Sequence, residues 1–231
     1  MGEPNQLHKR RKTRRRPLAA PRDVPNKLWN KIALEYHMHM QQSGQYAAQY
    51  QLMKKLRAHL GGRMLEVGCG AGEVAKYILA NPNKSFSAYL GVDTSKTMVE
   101  LATRNLGDFA LLTKRSPKTH AFEVGSIQGA SGRFDTILAF NSFCYVDAPG
   151  FLASAAALTG TFGKLIVGEE DPLMSQGTGK QSALRGRSLF PLSEIRKIVE
   201  SEHFAFEHRY VVPINEKHNL VGMVFGKKRA V

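Results

Sequence analysis

The stretch Leu65-Glu66-Val67-Gly68-Cys69-Gly70-Ala71-Gly72 restricts the possible folds of this 231-residue chain more than any other feature. Met64-Leu65-Glu66-Val67 reads as a short buried strand, and an amphipathic segment over about 71–80 reads as a helix. The glycines between them let the backbone turn sharply and let a ligand come close. The first turn of the following helix leaves free N–H groups pointing at whatever lies over the turn. In a sheet wound with helices on both faces, this spot lies at the carboxyl edge of the strands, where ligands bind.

The rest of the chain fits such a sheet. Apolar runs over 86–92, 122–124, 134–140 and 164–168 read as strands, and 96–106, 151–158 and 192–201 as helices between them. Strands alternating with helices predict a mostly parallel sheet covered on both faces. The runs 204–214 and 219–225 are separated by a short turn and are expected to pair antiparallel. Two helices precede the glycine turn. One places Trp29, Ile32, Ala33 and Tyr36 on a single face, and the other carries Tyr46, Tyr50, Leu52, Met53, Leu56 and Leu60 before Gly61-Gly62 ends it.

Asp93 follows the second strand, 21 residues beyond Gly72, where a carboxylate can accept hydrogen bonds from both ribose hydroxyls of a nucleoside. A nicotinamide dinucleotide would call for a third glycine at position 73. Glu73 stands there, and a carboxylate at the helix start would repel a pyrophosphate.

From Leu28 to Lys227 the chain resembles the class I S-adenosylmethionine-dependent methyltransferases, most specifically in Glu66-Val67-Gly68-Cys69-Gly70-Ala71-Gly72 and Asp93. The resemblance implies a Rossmann-like α/β domain over 26–231, doubly wound around a mostly parallel seven-stranded sheet with an antiparallel last strand. Its N-terminal helices, within 26–62, would form a cover. It implies S-adenosylmethionine as cofactor, held by Glu66, Gly68, Cys69, Gly70, Gly72, Asp93, Thr94, Ser126, Ile127 and Asn141. In this implied site Gly68 and Gly70 admit the methionyl end and ribose, Asp93 holds the ribose, and Thr94 or Ser95 lies near the adenine. Ser126 stands where the family carries an acid for the adenine amino group. Trp29-Asn30-Lys31-Ile32-Ala33 with Tyr36 resembles the helix that precedes the domain in small-molecule and quinone-type members.

Catalytic candidates are Asn141, Tyr36 and Tyr145. Tyr36 and Tyr145 can equally be core aromatics, and Asn141 a turn residue. Cys144 follows Phe143 rather than the proline of cysteine-dependent base methylation, and reads as a small buried thiol. Glu169-Glu170-Asp171 can bind an ammonium group, act as base, or be a solvated loop. His37 and His39 lie two apart, off-phase for one helical face, so no metal site is expected.

The net charge of +14 is concentrated at the N-terminus. Residues 1–31 hold ten Lys or Arg against Glu3 and Asp23, including the run from Lys9 to Arg16. Residues 1–25 therefore read as a disordered basic tail, through which RNA or a ribonucleoprotein would bind at residues 9–16. The tail is also compatible with a nuclear-localisation signal or part of an organelle-targeting segment, although it is neither Ser-rich nor amphipathic as transit peptides usually are. Residues 171–190 form a polar link that can be a basic lid or an insertion. Two cysteines give no disulfide framework, and the absence of an 18-residue apolar run points to a soluble, intracellular protein without membrane association. Nucleus, cytoplasm and mitochondrial matrix remain alternatives. Three functions follow: methylation of RNA or an RNA-associated protein as the main reading, methylation of a small molecule as the alternative, or an inactive scaffold of the same fold.

Overall fold

The computed structural model describes residues 26–80, 86–113, 120–171, 192–201, 203–216 and 218–228. The tail over 1–25, and all of the 171–190 link except Asp171, lie outside the described residues. Seven strands among the described residues form one sheet in the order β3-β2-β1-β4-β5-β7-β6. These are β1 (Gly62–Val67), β2 (Phe86–Asp93), β3 (His120–Val124), β4 (Phe134–Phe140), β5 (Thr159–Glu170), β6 (Phe204–Asn215) and β7 (His218–Lys227). The first five run parallel, and β7 pairs antiparallel with both β5 and β6.

The helices are α1 (Asn26–Gln42), α2 (Gln45–Leu56), α3 (Glu73–Ala80), α4 (Lys96–Thr113), α5 (Ala148–Leu158) and α6 (Leu192–Ser201). α2, α3, α5 and α6 are apolar on the face they present to the sheet, so two cores form. Leu65, Val67, Ile137, Leu165, Val167, Val221 and Phe225 meet α5 and α6 through Phe151, Leu152, Ile195 and Val199. On the other face Met64, Leu138, Ile166 and Val224 meet α2 and α3 through Leu52, Met53, Leu56, Val74 and Ile78. Leu52, Met53 and Leu56 are fully buried, and each contributes about 1.5–3 kcal/mol to holding α2 on the sheet. α1 docks separately, placing Ala33 with Ala71, Met98 and Leu101, with Trp29 and Tyr36 packed against them.

Several boundaries differ from the sequence reading, among them those of α5, β5 and α4. α5 starts at Ala148 rather than 151, because Asp147 caps it through Gly150 N–H (3.0 Å) and Pro149 fits a first turn. β5 starts at Thr159, through Gly160 and Gly163, where a register shift in its pairing with β4 absorbs the irregularity. α4 runs through Gly107 to Thr113.

Candidate functional site

β1 lies between β2 and β4, and the chain leaves β1 and β4 toward opposite sides of the sheet, so a cleft opens above their carboxyl ends. The glycine turn forms its floor. Gly68 and Cys69 N–H groups both donate to Val92 O (2.8 and 3.1 Å), which pins the turn to the end of β2. Ser142 Oγ donates to Val67 O (2.7 Å), tying β4's exit to β1's. Asn105 Nδ2 donates to Ala71 O (3.1 Å), tying α4 to the turn.

The three glycines of the turn all have left-handed backbone, yet they do different work. A Cβ on Gly68 would stand 2.5 Å from Ser142 Cβ, so this glycine makes room for the β4 exit. A Cβ on Gly72 would stand 3.1 Å from Ala102 Cβ and 3.3 Å from Phe122 Cζ, so this one lets α4 and β3 pack closely. Only at Gly70 would a Cβ meet open space, facing the cleft. Gly72, also expected to contact the ligand, is not among the residues that line the cleft, and its α-carbon packs against Ala102 and Phe122.

The cleft encloses a pocket of about 320 Å³. Its wall includes Glu66, Gly68, Cys69, Gly70, Asp93, Thr94, Ser126, Ile127 and Asn141, the rest of the expected cofactor set, together with Tyr36 and Tyr145. Asp93 Oδ2 accepts from Gly70 N–H (3.0 Å) and Oδ1 from Ser95 N–H (2.8 Å). Both oxygens are thus oriented, and each keeps further acceptor capacity for a ligand hydroxyl. Burial raises the Asp93 carboxyl, and the two backbone donors oppose that rise. Glu66 sits deeper, 2% exposed, and accepts a hydrogen bond from the Tyr89 hydroxyl. Burial pushes its carboxyl up to about 8, with the Tyr89 hydrogen bond opposing and the Asp93 charge adding.

Asn141 is the one non-glycine residue with positive φ (50°) among the described residues. Its Oδ1 is buried without a hydrogen-bond partner there. A strained backbone holding an unpaired polar group into a pocket is an arrangement completed by a ligand donor.

The sequence reading expected a helical cover with Trp29 and Tyr36, but not Met40, Tyr46 and Gln49 in its lining. α1 contributes Trp29 and Met40 beside Tyr36, and α2 contributes Tyr46 and Gln49. Trp29 meets Tyr36 and Tyr145 edge to face, at centroid distances of 5.2 and 5.4 Å. Asn30 Oδ1 accepts from Ser95 Oγ (2.7 Å) and Thr97 N–H (3.3 Å), fastening α1 to the loop that follows Asp93. Tyr46 hydroxyl lies 2.9 Å from His37 Nδ1, and burial holds that imidazole below its ordinary range. The signal for the roof was Gly44: left-handed there (φ 76°), it reverses the chain so that α2 follows α1 after two residues. Among the other candidates, Cys144 is buried in the turn after β4, its N–H donating to Glu169 Oε1 (3.3 Å). Glu170 pairs with His218 (3.4 Å), and His39 is exposed.

The electrostatics of the pocket oppose those of the whole chain. Glu66, Glu73, Asp93 and Asp147 line it, and no Lys, Arg or His does among the described residues. Glu73 is buried, accepts from the Tyr50 hydroxyl (2.6 Å) and pairs with Lys76. A chain of net charge +14 thus keeps its cationic side chains out of this wall. Low dielectric strengthens the preference for a cationic ligand and against an anionic one.

Residues 65–165 match a family described as a methyltransferase domain. Over 85 residues the chain is 36% identical to a ubiquinone/menaquinone biosynthesis C-methyltransferase, UbiE, of Geotalea uraniireducens. That match covers 37% of this chain and 35% of the relative, so it spans about a third of the relative's length. A possible histamine N-methyltransferase from Thermotoga maritima superposes with a TM-score of 0.66 at 20% identity, covering 88% of this chain and 99% of that one. A 1,6-didemethyltoxoflavin-N1-methyltransferase of Burkholderia thailandensis, solved with its substrate and S-adenosylhomocysteine, gives 0.64 at 20% identity over 93% of each chain. Strand order, glycine turn, matched domain and superpositions agree: the chain has the class I, Rossmann-like fold of the S-adenosylmethionine-dependent methyltransferases.

Proposed function

We propose that this protein transfers the methyl group of S-adenosylmethionine to a small-molecule acceptor. The observation that carries the cofactor is the charge of the pocket. Four acidic residues and no basic one line it among the described residues. Glu66 holds its proton up to about pH 8 and Glu73 shares its charge with Lys76, so Asp93 and Asp147 carry the preference for a ligand with a sulfonium and an ammonium over a pyrophosphate. The residues also fit the rest of the group: Asp93 offers acceptors for vicinal hydroxyls, Gly70 leaves its Cβ position open, and Asn141 offers an unpaired acceptor.

When bound, the cofactor supplies a methyl group already activated by the sulfonium. The chain's own task is alignment and exclusion of water. Asp93 fixes the ribose through its two oriented oxygens. Gly70 N–H cannot drift, because it donates to Asp93. Trp29, Tyr36 and Met40 close the roof, and Tyr145 with Asn141 forms the wall from which an acceptor would reach the methyl carbon. Asn141 Oδ1 and the hydroxyls of Tyr36 and Tyr145 are the groups we place against the reacting atoms.

The roof also favours a small acceptor over RNA. α1 and α2 enclose the site, whereas a polynucleotide acceptor would need an open groove leading to it. The RNA reading rests on the tail charge, outside the described residues. By their own descriptions the named relatives are a ubiquinone/menaquinone biosynthesis C-methyltransferase, a possible histamine N-methyltransferase and a 1,6-didemethyltoxoflavin-N1-methyltransferase. Calorimetric titration of the full chain with S-adenosylmethionine and with NAD tests the cofactor, and binding of NAD alone would overturn it. A labelled-methyl screen over metabolite and RNA pools then tests the acceptor, using the wild type and an Arg14→Gln, Arg15→Gln, Arg16→Gln variant. Turnover on a metabolite that the triple variant retains is the expected result. Turnover confined to RNA, and lost in the variant, would refute the small-molecule reading.

A further inference from the structure

A second cluster lies at the other end of the sheet from the pocket. His59 follows α2, while Glu207 and His208 are consecutive on β6. One ligand atom from each comes within 4.8 Å of the other two. The imidazole rings of His59 and His208 are 4.8 Å apart between centroids. Consecutive strand residues normally point to opposite faces, so Glu207 and His208 should not share a site. The register of β6 on β7 shifts between Phe206 and His208, and this bulge alters the alternation. Before it, Phe206 packs in the core under α6; beyond it, Tyr210 and Val212 pack in the opposite core under α2. The change of face turns Glu207 and His208 both toward His59.

We infer that His59, Glu207 and His208 form a binding site for one Zn²⁺ ion, which would fasten the end of the α2 cover to the edge strand. Two imidazoles and one carboxylate make a donor set that Zn²⁺ takes in tetrahedral sites, with water in the fourth position. Imidazole donors select it over Mg²⁺ and Ca²⁺, which prefer oxygen. The surroundings supply the support such a site needs. Tyr210 hydroxyl lies 2.9 Å from His59 Nε2, which leaves Nδ1 to face the ion and fixes the ring. Glu207 lies over Gly226, where a Cβ would collide with its carboxylate. One group opposes the ion: Lys164 Nζ donates to both Glu207 oxygens, at 2.5 and 2.7 Å. That pair is about 30% exposed on each side, so solvent screens it and releasing Glu207 from it costs little. The sequence reading, which expected no metal, weighed only His37 and His39; His59 lies about 150 residues from Glu207 and His208, and the three meet only through the bulge.

The test is calorimetric titration of the full chain with ZnCl₂ and with MgCl₂, on the wild type and on His208→Asn, Tyr210→Phe and Lys164→Met. One equivalent of Zn²⁺ should bind to the wild type and Mg²⁺ should not. His208→Asn should weaken that equivalent by at least about 100-fold, and Tyr210→Phe by about 10-fold. Lys164→Met should tighten it about fivefold by freeing Glu207. His208 is exposed, so thermal melting should show the metal-free variant folded as the wild type. Equal Zn²⁺ binding by wild type and His208→Asn would overturn the site, since the ion would then sit on other histidines. So would no binding by the wild type, or equal affinity for Mg²⁺.

Discussion

Replacing Glu66 by Gln should remove most of the protein's loss of stability between about pH 5 and pH 8. The carboxyl is 2% exposed, and burial raises it from the ordinary 4.5 to about 8 in the folded chain. Between those two values the folded state holds a proton that the unfolded state has released. Stability then falls as pH rises, because the slope follows the protons bound by the unfolded state minus those bound by the folded state. The contribution is fully present below about pH 4.5 and is lost as pH climbs through 8. At about 1.4 kcal/mol for each pH unit between 4.5 and 8, the ceiling is about 5 kcal/mol. Water entering beside an ionised Glu66 would lower that, so a loss near 2–3 kcal/mol is the working expectation. Glutamine cannot ionise, yet its carbonyl can still accept from the Tyr89 hydroxyl. The assay is urea unfolding at pH 5, 6, 7, 8 and 9 for both proteins, compared as a difference so that other titrating groups cancel. Saturating S-adenosylmethionine should shrink the wild-type loss, since a cationic ligand favours ionised Glu66. Parallel wild-type and Glu66→Gln profiles would refute the reasoning.

Three substitutions separate binding from folding in the glycine turn. Gly70→Ala should cost only about 1–2 kcal/mol of stability, from its left-handed backbone, while abolishing S-adenosylmethionine binding in calorimetry, because the new methyl enters the pocket. Gly72→Ala should do the reverse: a loss of about 2–4 kcal/mol in unfolding experiments as its Cβ presses on Ala102 and Phe122, with affinity of the folded fraction kept. Asp93→Ala should weaken S-adenosylmethionine at least about 100-fold, the loss of two hydrogen bonds to an ionised acceptor, and unchanged affinity would remove Asp93 from the site.

The sheet was legible because each strand is a short apolar run with its own punctuation. Asp93 and the glycine turn were legible because their spacing is local. The separate packing of the three glycines was not legible: they look alike in sequence, and only the approach of Ala102, Ser142 or open space tells them apart. Tyr46 and Gln49 were hidden by position, since they sit two turns and one turn before Met53 on a helix whose apolar face dominates the pattern. Glu207 and His208 were hidden by the bulge, which no composition or period at that point announces.

The strand order bears on how the chain can be made and trimmed. β7 comes last of the seven in sequence but lies inside the sheet, between β5 and β6. β6 has no other strand neighbour, and α2 rests on both through Val212, Leu220 and Val224. During synthesis β6 therefore emerges with nowhere to dock, and waits for the ten residues of β7 before either can close over α2. Translation stopping before His218 would strip two strands from the sheet and leave Leu52, Met53 and Leu56 without part of their cover, a species suited to aggregation and proteolysis rather than to partial activity.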